Sequence, residues 1–354
     1  MLAALVAPAH PCAAQDPIAL ALAGTTAIEH RRFADALEAF TRAAAIRPGD
    51  ASLCFGAGVA AFMLGQDGVA QSRFECALAL KPNHLQAAKW LGDLHYRAGR
   101  LPEAISIYES ARDRSPRSGD LQKQLDDWRK EQELQSRFHE VRTEHFTALF
   151  EAATDEPFAR EVLARLEAAY CRIGNTLGVY PSQPVSVVLY TREQFGEITK
   201  LAAWSAAGYD GRIRVPLGRA LEQQQELDRV LSHEYVHAVV AMLGGRTVPA
   251  WVNEGLATAL ESTDSTDAEQ TLMRTAVPEL SKLHNSFVGL SARDAEIAYA
   301  SAVRAVRRLI DQRGLAAVVA ILEDLGRGVS FARAFHQRAG MRYEDFAALV
   351  ARLK

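Results

Sequence analysis

The sequence predicts two domains of different class, an all-α helical-repeat solenoid over 17–136 and an α+β domain over 137–354. Three observations predict this. The chain has 354 residues, more than one ordinary core holds. A period of thirty-four residues runs through its first third. Beyond Gln135 that period stops, and short β-branched runs enter among helical patterns.

The first sixteen residues stand apart. Leu2 to Ala9 is a short apolar run, and Cys12-Ala13-Ala14 resembles a small-residue cleavage site before Gln15. No positive charge precedes the run. The segment is either a signal peptide with a late start, which places the protein in the periplasm or outside the cell, or a disordered apolar tail, which leaves it in the cytoplasm. The residues after the run favour export. No later apolar segment is long enough to span a bilayer; Arg304, Arg307, Arg308 and Asp311 interrupt the C-terminal runs.

The repeats follow. Gly24, Gly58 and Gly92 align at the thirty-four-residue step, as do Ala36, Ala70 and Ala104, and then Phe40, Phe74 and Tyr108. Ala43, Ala77 and Ala111 form a further column, and Pro48, Pro82 and Pro116 close the units. The array resembles the tetratricopeptide repeat, which has this period. Each unit is a helical hairpin that cannot bury its apolar face alone. The small columns allow close helix approach, the aromatic column fills space, and proline stops the second helix. A further helix from Asp120 to about Gln135 carries Leu121, Leu125 and Trp128 on one face and charges elsewhere, as a capping helix needs. Such an array serves either as a scaffold without a specific ligand or as a groove for a peptide or protein partner.

The second half begins with "HFTALF", His145 to Phe150, an apolar-aromatic run. Leu163, Leu166, Tyr170 and Ile173 then mark a helix. Pro184 to Tyr190 reads as a buried strand. Asp210-Gly211 signals a hairpin turn, with a strand continuing from Gly211 to Leu217. A long helix spans Leu221 to Leu243 and ends at Gly244-Gly245. A second starts near Trp251, and Asp294 to Lys354 reads as three or four helices.

Composition excludes several classes. Hydrophobic residues make up 49% and charged residues 23%, the balance of a globular chain. A net charge of −3 and a pI of 6.4 leave no footprint for nucleic acid. None of the four cysteines forms a CxxC pair, which excludes cysteine-rich zinc sites. If export removes Cys12, three remain and cannot all pair internally. Cys54 and Cys76 sit on apolar helix faces and read as small buried hydrophobes.

The chemistry lies in "LSHEYVHAVV". His233 and His237 are four apart on the long helix, so both imidazoles project from one face and can share one zinc ion. Glu234 lies beside them, placed to reach a water on the metal. This is HExxH, a pattern that also arises by chance. "VPAWVNEGLATAL" adds to it. Glu254 follows His237 at a distance that lets the next helix turn it back towards the histidines. Two histidines and a glutamate leave one zinc position open, as a catalytic site requires. Glu254 could otherwise be an acid stabilising a helix N-terminus.

"HEYVH" with "PAWVNEGLA" resembles the gluzincin zinc metallopeptidases, in particular the peptidase-MA-like domains that accompany tetratricopeptide repeats. "VSVVLYTREQF", "GYDGRIRVPL" and "AYASAVRAVRRLIDQRG" look like blocks of the same family, so the resemblance spans about Phe138 to Lys354. It implies a zincin-like fold, with zinc bound by His233, His237 and Glu254. It makes Glu234 the general base that takes the proton of the zinc-held water and passes it to the leaving amine. Gly211 to Leu217 would be an edge strand for substrate pairing. Tyr299 in "AYASA" matches the expected oxyanion donor, though it reads equally as a core aromatic; Tyr209 and His284 are lesser candidates. Tyr235 points away from the ligand face and packs. Trp251 packs beneath the site or lines the cleft. Thermolysin-like relatives carry an acid one turn after the glutamate ligand; here Thr258 stands there, with Glu261 further on. The expected function is therefore a zinc-dependent peptidase with a recruiting repeat module. The rival is a tetratricopeptide scaffold whose zinc domain is weak or vestigial, and a non-proteolytic zinc hydrolase is a third reading.

Overall fold

The computed structural model describes residues 16–115, 119–199, 208–217, 224–261, 278–287 and 289–352. The N-terminal run and Pro116 lie outside the described residues. So do Leu221 to Gln223 of the long helix, which is seen from Gln224. No helix among the described residues is long and apolar enough to cross a membrane.

The array is three helical hairpins: α1 (Pro17–Glu29) with α2 (Phe33–Ile46), α3 (Ala51–Met63) with α4 (Asp67–Leu80), and α5 (Leu85–Arg97) with α6 (Leu101–Arg114). Asp16 and Asp50 cap α1 and α3 through the backbone N–H groups of Ile18 and Ser52. The sequence columns meet within each hairpin. A Cβ on Gly24, Gly58 or Gly92 would fall within 3.0 Å of Phe40, Phe74 or Tyr108 respectively. The aromatic ring therefore lies directly on the glycine of its partner helix, and the alanine columns are buried around it.

Cys54 on α3 and Cys76 on α4 form a disulfide, their Cα atoms 6.0 Å apart. This corrects the expectation that they are merely small hydrophobes. An apolar helix face records burial but not the facing side chain, and in this hairpin the facing side chain is the other thiol. Cys171 is free and exposed.

The second half is mostly helical around a mixed sheet. In chain order it has β1 (His139–Arg142), β2 (Phe146–Phe150), α8 (Glu156–Leu177), β3 (Val185–Tyr190), α9 (Arg192–Thr199), β4 (Gly208–Tyr209) and β5 (Ile213–Pro216). Then come α10 (Gln224–Gly244), α11 (Ala250–Glu261), α12 (Ala292–Arg313), α13 (Leu315–Gly326), α14 (Phe331–Ala339) and α15 (Tyr343–Ala351). The sheet order is β1-β2-β3-β5-β4 among the described residues. β2, β3 and β5 run parallel, and β1 and β4 are antiparallel. Phe146, Ala148, Phe150, Val187, Leu189, Ile213 and Val215 face the main core with α8, α10 and α11.

The expectation that Gly211 to Leu217 is an edge strand is not met. β5 pairs with β3 on one side, and on the other Ile213 and Arg214 pair with Tyr209 and Gly208. The Asp210-Gly211 turn folds the preceding residues back onto β5, and that short strand takes the edge.

The other sheet face carries Val188, Tyr190 and Arg214 and meets α7 (Gly119–Gln135). Leu121, Leu125 and Trp128 of α7 are buried against the last hairpin, as expected of a cap. Its charged side, however, is not all solvated. Glu131 is 2% exposed and accepts from Arg214 Nη1 at 3.0 Å, Tyr190 Oη at 3.0 Å and Tyr96 Oη at 2.7 Å; Arg212 Nη2 lies 3.4 Å away. Asp210 holds Arg214 Nε at 3.0 Å. A second seam joins Arg246 to the α3–α4 turn. Its guanidinium pairs with Asp67 at 2.6 Å, donates to the Phe62 carbonyl and sits 3.9 Å from the Phe62 ring centroid. The array is thus fixed to the second half at its capping helix and at its middle hairpin.

Candidate metal centre

α10 is buried over most of its length, so its polar residues are held rigidly. His233 and His237, one turn apart, present their rings edge to face with centroids 4.7 Å apart. The chain turns after Gly244, and α11 runs back across α10. This brings Glu254 Oε2 to 3.4 Å from Nε2 of both His233 and His237. The three residues offer ligand atoms that all lie within 4.8 Å of one another.

The outer ring nitrogens are already engaged. His233 Nδ1 lies 2.7 Å from Glu261 Oε2, and His237 Nδ1 lies 3.0 Å from Asn253 Oδ1. Both partners accept, so each Nδ1 donates and each Nε2 faces Glu254. Donors about 2.0–2.1 Å from a tetrahedral zinc ion stand about 3.4 Å apart, the separation found here. Glu254 Oε2 is buried without a hydrogen-bond partner. The residues therefore fit a zinc ion.

The electrostatics agree. Burial alone would raise the Glu254 pKa and lower those of the two histidines. Their mutual attraction overrides burial, leaving Glu254 well below the usual carboxylate range and both imidazoles above theirs. Protons on the two imidazoles balance the carboxylates here, and a bound metal ion would take their place. Glu234 differs. Its Oε2 is buried with no partner, and burial raises its pKa. That suits a proton acceptor that must later release the proton.

The acid expected one turn after Glu254 is replaced by one two turns on. Glu261 holds His233, and is itself held by Arg229 Nη1 at 3.0 Å, which also pairs with Glu226. Thr258 makes no such contact. Glu261→Ala is expected to weaken zinc binding by about 10–100-fold, measured by competition with a chromophoric chelator. Unchanged affinity would remove Glu261 from the support of the centre.

Tyr299 on α12 lies with its ring 6.3 Å from that of His233 and 5.4 Å from that of Phe287. Burial raises its pKa, and the charges of Glu254 and Glu234 and a hydrogen bond with Glu254 add to the effect. The two lesser donor candidates lie elsewhere. Tyr209 is in the β4 turn beside Arg97 and Arg246. His284 packs its ring on Phe331 and Tyr343. Tyr235 is fully buried against Phe146 and Tyr170, and Trp251 is fully buried on Tyr343 and Phe346, so it packs and does not line a cleft.

Sequence reading did not reach Asn253, Arg229 or Arg172. Asn253 adjoins Glu254, and Arg229 lies four residues before His233, so helical spacing could have flagged both. Arg172 joins α8 to Ser232 and to the Leu260 carbonyl, and no local signal marks it. Gly255 sets the depth of α11. A Cβ there would press into the Ala302 carbonyl and Val306 of α12. Gly255→Ala should cost about 1–3 kcal/mol in chemical denaturation and pull Glu254 out of register; a change under about 0.5 kcal/mol would show that α12 gives way.

The tetratricopeptide repeat family model matches residues 22–70 and 68–118. The N-terminal array therefore carries tetratricopeptide repeats. The chain is also similar to the first such domain of Spaghetti (RPAP3), solved bound to the HSP90 peptide SRMEEVD. Identity is 20%, covering 33% of this chain and 93% of that one, with a TM-score of 0.32. For the first such domain of human RPAP3, identity is 21%, the coverages are 32% and 90%, and the TM-score is 0.30. No curated protein matches the chain.

Proposed function

We propose that this chain is a zinc-dependent peptidase of the gluzincin type whose tetratricopeptide module recruits a protein partner or substrate. One observation carries the reading: Nε2 of His233 and of His237 converge on Glu254 Oε2 at 3.4 Å, with the unpartnered carboxylate of Glu234 beside them.

When bound, zinc polarises the scissile carbonyl and acidifies the attacking water. His233, His237 and Glu254 would hold it. Glu261 and Asn253 fix the imidazoles so that no reorganisation is needed. Glu234 takes the proton from water as it attacks and delivers it to the departing amine. Tyr299 donates to the oxygen that gains charge. Substrate pairing along β5 is not part of the proposal, since β4 already covers Ile213 and Arg214.

The test is metal analysis of the purified full chain, followed by a proteome-derived peptide mixture incubated with and without chelator. Stoichiometric zinc and chelator-sensitive cleavage are expected. Protein without zinc sinks the reading.

A second reading has its own support. The family match lies on the repeats, and it supports a protein-binding scaffold better than a peptidase; in that reading the zinc domain would be catalytically weak or vestigial. Stoichiometric zinc with no peptide cleaved would select it.

A further inference from the structure

The first α–α turn of the array breaks the pattern of the other two. Arg31, Gly65 and Gly99 occupy the same position of successive repeats, and all have positive φ, at 55°, 74° and 75°. Only glycine takes this conformation without steric cost. The second and third turns pack directly on the second half. A Cβ on Gly65 would meet the Gly245 backbone, and one on Gly99 would touch Arg212. The first turn keeps an arginine in a strained conformation; Ala34 just after it packs on Gly328, while Arg31 itself borders a cavity of about 470 Å³, a size typical of small-ligand sites.

That cavity has a marked character. His30, Arg31 and Arg32 form one wall and His284, Phe331 and Tyr343 another. The three rings of the second wall pack within 5.1–5.3 Å of one another. No carboxylate is among the lining residues. Arg32 pairs with Asp35 at 3.4 Å, whereas Arg31 and His30 have no ion pair among the described residues. His284 Nε2 is buried without a hydrogen-bond partner. Burial, then the charge of Arg31, holds His284 below the ordinary imidazole range. Strain kept at a wall of unpaired polar groups points to function at that wall.

We propose that this cavity binds a small organic anion, a carboxylate or phosphate on an aromatic body, with the anionic group on Arg31 and the body against Phe331 and Tyr343. The inference does not depend on the metal reading.

The test titrates the full chain, stripped of metal by chelation so that anions cannot bind a zinc ion, with phenylacetate, phenyl phosphate and the uncharged 2-phenylethanol. Saturable binding of either anion is expected, with the alcohol weaker by at least about tenfold. Arg31→Gly, the residue of the other two repeats, should melt at the same temperature or higher yet lose at least about tenfold in anion affinity. Arg31→Asn, also tolerant of the left-handed conformation, should lose as much. The proposal is overturned if neither anion saturates, if the alcohol binds as tightly, or if both variants keep wild-type affinity.

Discussion

Replacing Glu131 with alanine should destabilise the protein by about 3–5 kcal/mol, the cost of removing one partner from a buried ion cluster. The side chains of Glu131, Arg212 and Arg214 are each 2–3% exposed. Without the carboxylate, Asp210 remains as the acid paired with Arg214, Arg212 loses the acid beside it, and the hydroxyls of Tyr96 and Tyr190 lose their acceptor. Guanidinium denaturation followed through Trp128, on the same helix, reads the effect. A loss below about 1 kcal/mol, the range of exposed pairs, would show that the cluster is solvated. The pH dependence has a definite sign. Burial alone would raise the Glu131 pKa, but Arg214, Arg212 and the hydrogen bonds from Tyr96 and Arg214 bring it below the ordinary 4.5. Its contribution is therefore present above 4.5 and is lost as pH falls through the lower folded-state value. Acid should open this seam in the wild type, and the alanine variant should lack that component.

Glu234→Gln should abolish most peptide cleavage, by about 10²–10⁴-fold in kcat, while leaving zinc stoichiometric. The substitution keeps the shape and removes only the capacity to take a proton. Glu234 makes none of the contacts that orient His233, His237 or Glu254, so the ligand set should survive. The paired measurement separates two failures. Cleavage that persists with zinc bound would assign the base elsewhere, and loss of zinc would make Glu234 part of the binding set.

Much of this arrangement was legible because it repeats or is local. The repeat columns declare a helical hairpin three times, and the spacing of His233 and His237 fixes their common face within one helix. The turn at Gly244-Gly245 made the return of Glu254 foreseeable. What was not legible depended on which surfaces meet. Glu131 sits among charges on a helix that reads as an end, and only the sheet's second face makes it interior. Cys54 and Cys76 look like any buried small residues until their hairpin closes. Glu261 replaced the acid expected at Thr258 because two turns of helix reach His233 as well as one does, and sequence spacing cannot rank the two.

Repeat arrays commonly change in length, because adding a unit satisfies its neighbours and disturbs nothing else. The three turns at Arg31, Gly65 and Gly99 remove that freedom here. Each meets its own feature of the second half, one across the cavity, one at Gly245 and one at Arg212, and α7 closes the series on the sheet. A duplicated or deleted hairpin would shift every later turn by one unit and strand Glu131 away from its arginines. The number of repeats in this lineage should therefore be inherited as a fixed trait, with variation confined to the residues the array turns towards solvent.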